Sequence, residues 1–220
     1  MQPATHVASY PLQQSANSNS QPPRLRLASR QGGRLRSQLI SSNNLPQNER
    51  WHLPRILLSN ARSLRYKIDE LSVILEHNNI DIGCVTESWL GNDVPDEAVT
   101  IGGYKCYRHD RSDGRKGGGV ACYVGTSFPC TRLYSLETAD LESIWLLVRR
   151  PRMPRPVSHI AIGVIYHPPG APSWSMSQHI TNAMDTIISQ HPYAGIVILG
   201  DFNTMDARSI RSYPLKQVVG

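Results

Sequence analysis

Two short aliphatic runs flanking one helical stripe constrain this chain more than any other feature. Ile56-Leu57-Leu58 has the length and composition of a buried strand, and 81–86 (Asp-Ile-Gly-Cys-Val-Thr) is a second. Between them, Leu64, Ile68, Leu71 and Leu75 recur at i, i+4, i+7 and i+11, the apolar stripe of an amphipathic helix. Asn78-Asn79 closes it. A strand, a helix and a strand in that order imply two parallel neighbouring strands joined by a right-handed crossover. Asn60 and Glu87 then fall at the C-terminal ends of the two strands, where parallel sheets usually bind their ligands.

The next stretch has a different pattern. Residues 104–109, 119–124, 131–136, 144–148 and 159–166 read as strands separated by Gly, Pro and charged turns, which suits an antiparallel meander. A second helix is expected over 173–190, with Ile180, Met184, Ile187 and Ile188 on its buried face. A strand over 194–199 follows. Its four-aliphatic run, Ile196-Val197-Ile198-Leu199, reads as buried on both faces. Gly200-Asp201-Phe202-Asn203 comes directly behind it. Alternation along an extended chain puts Asp201 and Asn203 on one side at the sheet rim. An acid and an amide held there can orient a water and a phosphate oxygen.

Residues 1–52 carry little that could form a core. They are rich in Gln, Ser, Asn, Pro and Arg, and such a segment buries too little apolar surface to offset its ordering entropy. The expectation is a disordered basic tail, followed by a folded unit over 53–220. Six arginines stand against Glu49 alone in the first fifty residues, so nearly all of the net charge of +6 lies there. The same composition also describes a mitochondrial transit peptide or a loose polyanion-binding arm. No apolar stretch reaches about 18 residues, so no membrane-spanning helix is expected. The four cysteines, at 84, 106, 122 and 130, form no CxxC pair; Cys84 and Cys122 lie in apolar runs and read as reduced core thiols.

Each polar strand end has an ordinary structural explanation when taken singly. Asn60 suits a helix cap, Glu87 a solvated turn, Tyr166 a half-buried ring before Pro168-Pro169, and Asp201 with Asn203 an Asx turn. Together, and in this order, they resemble the endonuclease/exonuclease/phosphatase superfamily, the DNase I-like fold. The stretches that carry the resemblance are Leu58-Ser59-Asn60-Ala61-Arg62-Ser63-Leu64, Val85-Thr86-Glu87-Ser88-Trp89-Leu90, Asp110-Arg111 with Gly117-Gly118-Gly119-Val120-Ala121, Gly163-Val164-Ile165-Tyr166-His167-Pro168-Pro169 and Leu199-Gly200-Asp201-Phe202-Asn203. The combination is narrower than the superfamily. It is similar to the endonuclease domain of non-LTR, LINE-type, jockey-like retrotransposon polyproteins over about residues 55–205.

The resemblance implies an α/β fold, a two-sheet, four-layer α/β sandwich of DNase I-like type. It implies Mg²⁺ or Mn²⁺ held by Glu87 and Asn60, with Asp201 orienting or deprotonating the attacking water. Asn203 would hold a phosphate oxygen and Tyr166 would donate to the phosphate or the leaving group. Arg111 and Arg115, in the basic hairpin before the glycine run, are the candidate nucleic-acid contacts. The glycine run itself reads equally as the start of a strand near the nucleic-acid face and as a flexible hairpin tip. The implied reaction is DNA nicking that leaves a 3′-hydroxyl to prime reverse transcription. The implied partners are target DNA and, through the Arg-rich tail, element RNA, at an intracellular and finally nuclear location. His167 stands where the related elements usually carry Arg, and reads as a surface residue.

The family ends its site with an Asp and a His well behind the Gly-Asp-Phe-Asn segment. Seventeen residues follow Asn203, none of them His, and Asp206 is too close behind to serve. The domain is therefore expected to be incomplete at its C-terminal strands and this chain alone inactive. A degenerate element fragment, and another phosphoesterase on the same fold, are the competing readings.

Overall fold

The computed structural model describes residues 8–9, 36–40, 53–149, 153 and 156–205. Among these residues ten strands and two α-helices follow in chain order: β1 (Ala8–Ser9), β2 (Arg36–Ile40), β3 (Ile56–Asn60), α1 (Ile68–His77), β4 (Ile82–Thr86), β5 (Tyr104–His109), β6 (Val120–Gly125), β7 (Cys130–Arg132), β8 (Ser143–Val148), β9 (His159–Tyr166), α2 (Ser173–Gln190) and β10 (Ala194–Asp201). They form two sheets, in the orders β1-β10-β9-β8-β7 and β2-β3-β4-β6-β5. β3 and β4 are parallel, as are β9 and β10; the other pairs are antiparallel.

The period-two alternation of the strands divides their side chains between two environments. Ile56, Leu58, Ile82, Cys84, Cys122 and Val124 of one sheet meet Ile144, Leu146, Ile160, Ile162 and Val164 of the other. On the outer face of the first sheet, Leu57, Val85, Ala121 and Tyr123 pack on Leu71 and Leu75 of α1. On the outer face of the second, Trp145, Ala161, Ile165 and Ile198 pack on Met176, Ile180, Met184 and Ile187 of α2. The result is helix, sheet, sheet, helix. Leu71, Leu75 and Ile180 are fully buried, each worth about 2–3 kcal/mol in transferred apolar surface. Two core thiols, Cys84 and Cys122, are free and buried with their Sγ atoms 3.7 Å apart.

The helical stripe begins later than its spacing suggests. Leu64 is buried, but Arg62 and Ser63 before it have positive φ and α1 starts at Ile68. The strand expected over 131–136 stops at Arg132, and 134–136 is a 3-10 turn. Within the segment read as a disordered tail, β1 pairs with β10 through Val197 and Ile198, and β2 pairs with the whole of β3. The rest of that segment lies outside the described residues, as do residues 206–220, on which the expectation of missing C-terminal strands rests.

Candidate active site at the seam of the two sheets

β3 and β4 deliver Asn60 and the Glu87 turn from one sheet; β9 and β10 deliver Tyr166 and Asp201 from the other. The parallel registers set Asn60 beside Thr86 and Asp201 beside Tyr166. Asn60 donates from Nδ2 to Asp201 Oδ2 at 2.8 Å, a bond that crosses the seam between sheets. A second bond crosses it alongside: the Tyr166 hydroxyl donates to Glu87 Oε1. Asp201 Oδ1 accepts the Asn203 backbone N–H at 3.2 Å. The five residues named from the sequence (Asn60, Glu87, Tyr166, Asp201 and Asn203) are therefore one cluster.

Gly200 explains how Asp201 reaches that place. A Cβ at Gly200 would lie 1.8 Å from the Ile165 carbonyl oxygen, so only glycine lets β10 run this close to β9. Burial then raises the carboxyl group of Asp201 above its ordinary range, opposed by the hydrogen bonds from Asn203 and Asn60. Tyr166 is buried, and burial with the Glu87 carboxylate beside it raises its hydroxyl, so it is held as a donor.

Glu87 sits at a turn that local propensity would not choose. Its φ is 55° and that of Trp89 is 51°, left-handed values costing about 1–3 kcal/mol each for such residues. Neighbouring backbone holds the turn in place. Ser63 N–H donates to Glu87 O at 2.9 Å, Leu64 N–H to Ser88 O at 2.8 Å, and Trp89 N–H to Gly118 O at 2.9 Å. Glu87 Oε2 accepts Trp89 Nε1–H and, at 3.3 Å, the Gly118 backbone N–H.

The glycine run proves to be tightly packed. Gly117, Gly118 and Gly119 all have positive φ, and a Cβ on Gly118 would lie 2.5 Å from both Arg111 and Glu142. Glu142 is a site neighbour that sequence reasoning missed. It is buried, accepts Arg111 Nε at 2.7 Å and the Gly119 N–H, and its carbonyl receives the Tyr166 N–H at 2.9 Å. An acid just ahead of an apolar strand was the available signal. Arg111 is thus neutralised inside the fold, with its guanidinium 5.8 Å over the Tyr166 ring. Arg115 is exposed and paired with Asp113.

His167 is buried rather than a surface residue, with 1% of its area exposed. Its N–H donates to Asp201 O at 2.9 Å and its carbonyl accepts Asn203 Nδ2 at 2.7 Å, so the ladder carries it inside one step past β9. Burial holds its imidazole below the ordinary range. Asn203 thus spends one of its two amide hydrogens on the loop after β9.

The donor set suits a hard divalent cation. A carboxylate has about four lone-pair sites, and three of those on Glu87 are used, leaving one on Oε1. Asn60 Oδ1 is buried without a hydrogen-bond partner, as an oxygen waiting for a cation or its water would be. Oxygen donors of this kind and number fit Mg²⁺, which takes one or two protein ligands and keeps several waters. Among the described residues no group of three or more His, Cys, Asp and Glu is positioned as a metal cage. The stretch after Met205, on which the expectation of a missing terminal Asp–His pair rests, lies outside the described residues.

Two layered sheets with polar strand ends meeting at one rim define a phosphoesterase-type α/β sandwich. Residues 16–216 match the profile of the Endonuclease/Exonuclease/phosphatase family, and the chain belongs to that family. No curated protein matches it in sequence. Among solved structures, the AP endonuclease LMAP of Leishmania major is 18% identical with a TM-score of 0.52, over 66% of this chain and 54% of that one. The endonuclease domain of TRAS1, a telomere-specific non-LTR retrotransposon, is 13% identical with a TM-score of 0.50, over 70% and 66%. The Xenopus laevis APE2 catalytic domain is 20% identical with a TM-score of 0.50, over 68% and 58%. At these identities the likeness is one of fold, the DNase I-like sandwich. The chain spans between about half and two thirds of each of these relatives.

Proposed function

We propose that this chain carries the metal- and phosphate-holding part of an endonuclease that nicks DNA, serving a retroelement of the non-LTR type. The observation that supports it most is the pair of bonds across the seam, Asn60 to Asp201 and Tyr166 to Glu87. They gather an acid, a metal-type carboxylate, an amide and a phenol at one rim. The retroelement assignment rests on the sequence motifs, with the TRAS1 likeness in fold consistent with it.

Glu87 Oε1 and Asn60 Oδ1 would hold the cation, which when bound neutralises charge on the phosphoryl oxygens. The chain's own residues do the rest. Asp201, held by Asn60 and the Asn203 N–H, keeps lone pairs for a water and fixes its line of approach. Its raised proton affinity makes it a better base than an exposed aspartate. The Tyr166 hydroxyl stays protonated at neutral pH, and its single hydrogen, given to Glu87 here, can turn to a phosphoryl or leaving oxygen once a cation takes Glu87 Oε1. The second Asn203 amide hydrogen is available to a phosphate oxygen.

The test combines Mn²⁺ titration followed by electron paramagnetic resonance with a supercoiled-plasmid assay. The expected result is one bound Mn²⁺ that is lost in Glu87→Gln, with any nicking dependent on Mg²⁺ and on Asp201. A chain that binds no divalent ion, or nicks equally after Asp201→Asn, overturns the proposal. Preferential cutting of an abasic-site duplex overturns the retroelement part of it in favour of a repair-type nuclease.

A further inference from the structure

Trp89 stands two residues past Glu87, with 44% of its area exposed, in a fold that buries most of its large side chains. Its left-handed backbone, unusual for an aromatic residue, is held by the bond from its own N–H to Gly118 O. That geometry turns the indole back over the turn, and its Nε1–H donates to Glu87 Oε2. Gly117 makes the room: a Cβ there would lie 3.2 Å from the indole nitrogen and 3.5 Å from Glu87 Oε2. The sequence alone gives no sign of this contact.

From this geometry we infer that Trp89 is a positioning residue for the metal site, an inference that rests on the reading of Glu87 as the metal ligand. Together Trp89 and the Gly118 N–H saturate Glu87 Oε2 and fix the plane of the carboxylate. With Oε2 committed, Oε1 is the oxygen that meets the Tyr166 hydroxyl at the seam. A ligating carboxylate held this way loses little freedom when a cation arrives, and such partners typically set affinity by about 10–100-fold.

The experiment compares Mn²⁺ affinity, read by electron paramagnetic resonance, in the wild type, Trp89→Phe, Gly117→Ala and Glu87→Gln. Melting in EDTA is recorded for each. Trp89→Phe keeps an aromatic ring and removes the N–H; it is expected to weaken Mn²⁺ binding about 10-fold or more with little change in melting. Gly117→Ala, which crowds the indole nitrogen, is expected to move affinity the same way. In the wild type, one of the four indole N–H signals in the nitrogen-correlated spectrum is expected to shift on adding Mg²⁺. This reads the contact even where a variant does not fold. Unchanged Mn²⁺ affinity in folded Trp89→Phe, or four indole signals indifferent to Mg²⁺, overturns the inference. If the wild type binds no Mn²⁺ at all, what fails is the assignment of Glu87 itself.

Discussion

Gly200→Ala should be among the most damaging single methyl additions this fold can receive, and its cost can be worked from the structure. The new Cβ would lie 1.8 Å from the carbonyl oxygen of Ile165 and 2.7 Å from its carbonyl carbon, where real Cβ atoms essentially never come within 3.0 Å. The obstacle is backbone of the adjacent strand, so no side-chain rotation relieves it. β10 must retreat from β9 by roughly 1 Å, which lengthens the last ladder bonds past the range of a hydrogen bond. The ladder at Gly200 and Asp201 and the His167 N–H bond to Asp201 O are the contacts at risk. Two such bonds at about 1 kcal/mol each, with about 1–3 kcal/mol for the overpacked methyl, give a loss of about 3–5 kcal/mol. For a chain of this size that is a fall of roughly 10 °C in melting temperature. The control is Gly195→Ala on the same strand, where among the described residues the one neighbour within reach of the new methyl is Val157 Cγ1 at 3.8 Å. It should change stability by about 0.5 kcal/mol or less. Thermal melts followed by circular dichroism compare the two. If Gly200→Ala melts with Gly195→Ala, the close approach of β9 and β10 is not what holds Asp201 at the rim.

Two further outcomes follow from the buried charges. Asp201 has a folded pKa above its ordinary 3.8, so its ionised form costs stability that appears as pH rises from 3.8 through the folded value. Asp201→Asn is therefore expected to melt higher than the wild type at pH 7, with the gain vanishing below pH 3.8; a lower melting temperature at pH 7 contradicts this. Arg111→Met would leave the Glu142 carboxylate, with 9% of its side chain exposed, without its 2.6 Å partner, a loss of about 3–5 kcal/mol. Adding Glu142→Gln should restore much of that in the same melts, and failure of the second change to help would show that the pair is not coupled.

The sequence made the β-α-β units readable because their signals are local. Strands β3, β4 and β9, helix α2 and the aliphatic run of β10 each announce themselves through apolar runs or a 3.6-residue stripe. So did the polar strand ends, since each follows its strand directly. What escaped was set by contacts distant in sequence. Glu142 meets Arg111 across 31 residues, and its place just ahead of an apolar strand does not by itself reveal that partner. His167 read as a surface residue just past the strand that ends at Tyr166, yet the ladder extends one bond further through Asp201. The late start of α1 comes from Arg62 and Ser63, whose left-handed conformations are imposed by bonds to the Glu87 turn and not by their own preference.

The Asn60–Asp201 bond joins residues 141 positions apart. During synthesis at about 5–20 residues per second, Asn60 would leave the ribosome roughly 7–28 seconds before Asp201. For most of that interval the nascent chain carries Asn60 and Glu87 without the acid that completes the rim. The candidate site is thereby tied to the chain's own translation: a polypeptide aborted before β10 is a strand-and-helix unit without Asp201 or the bond that closes the seam.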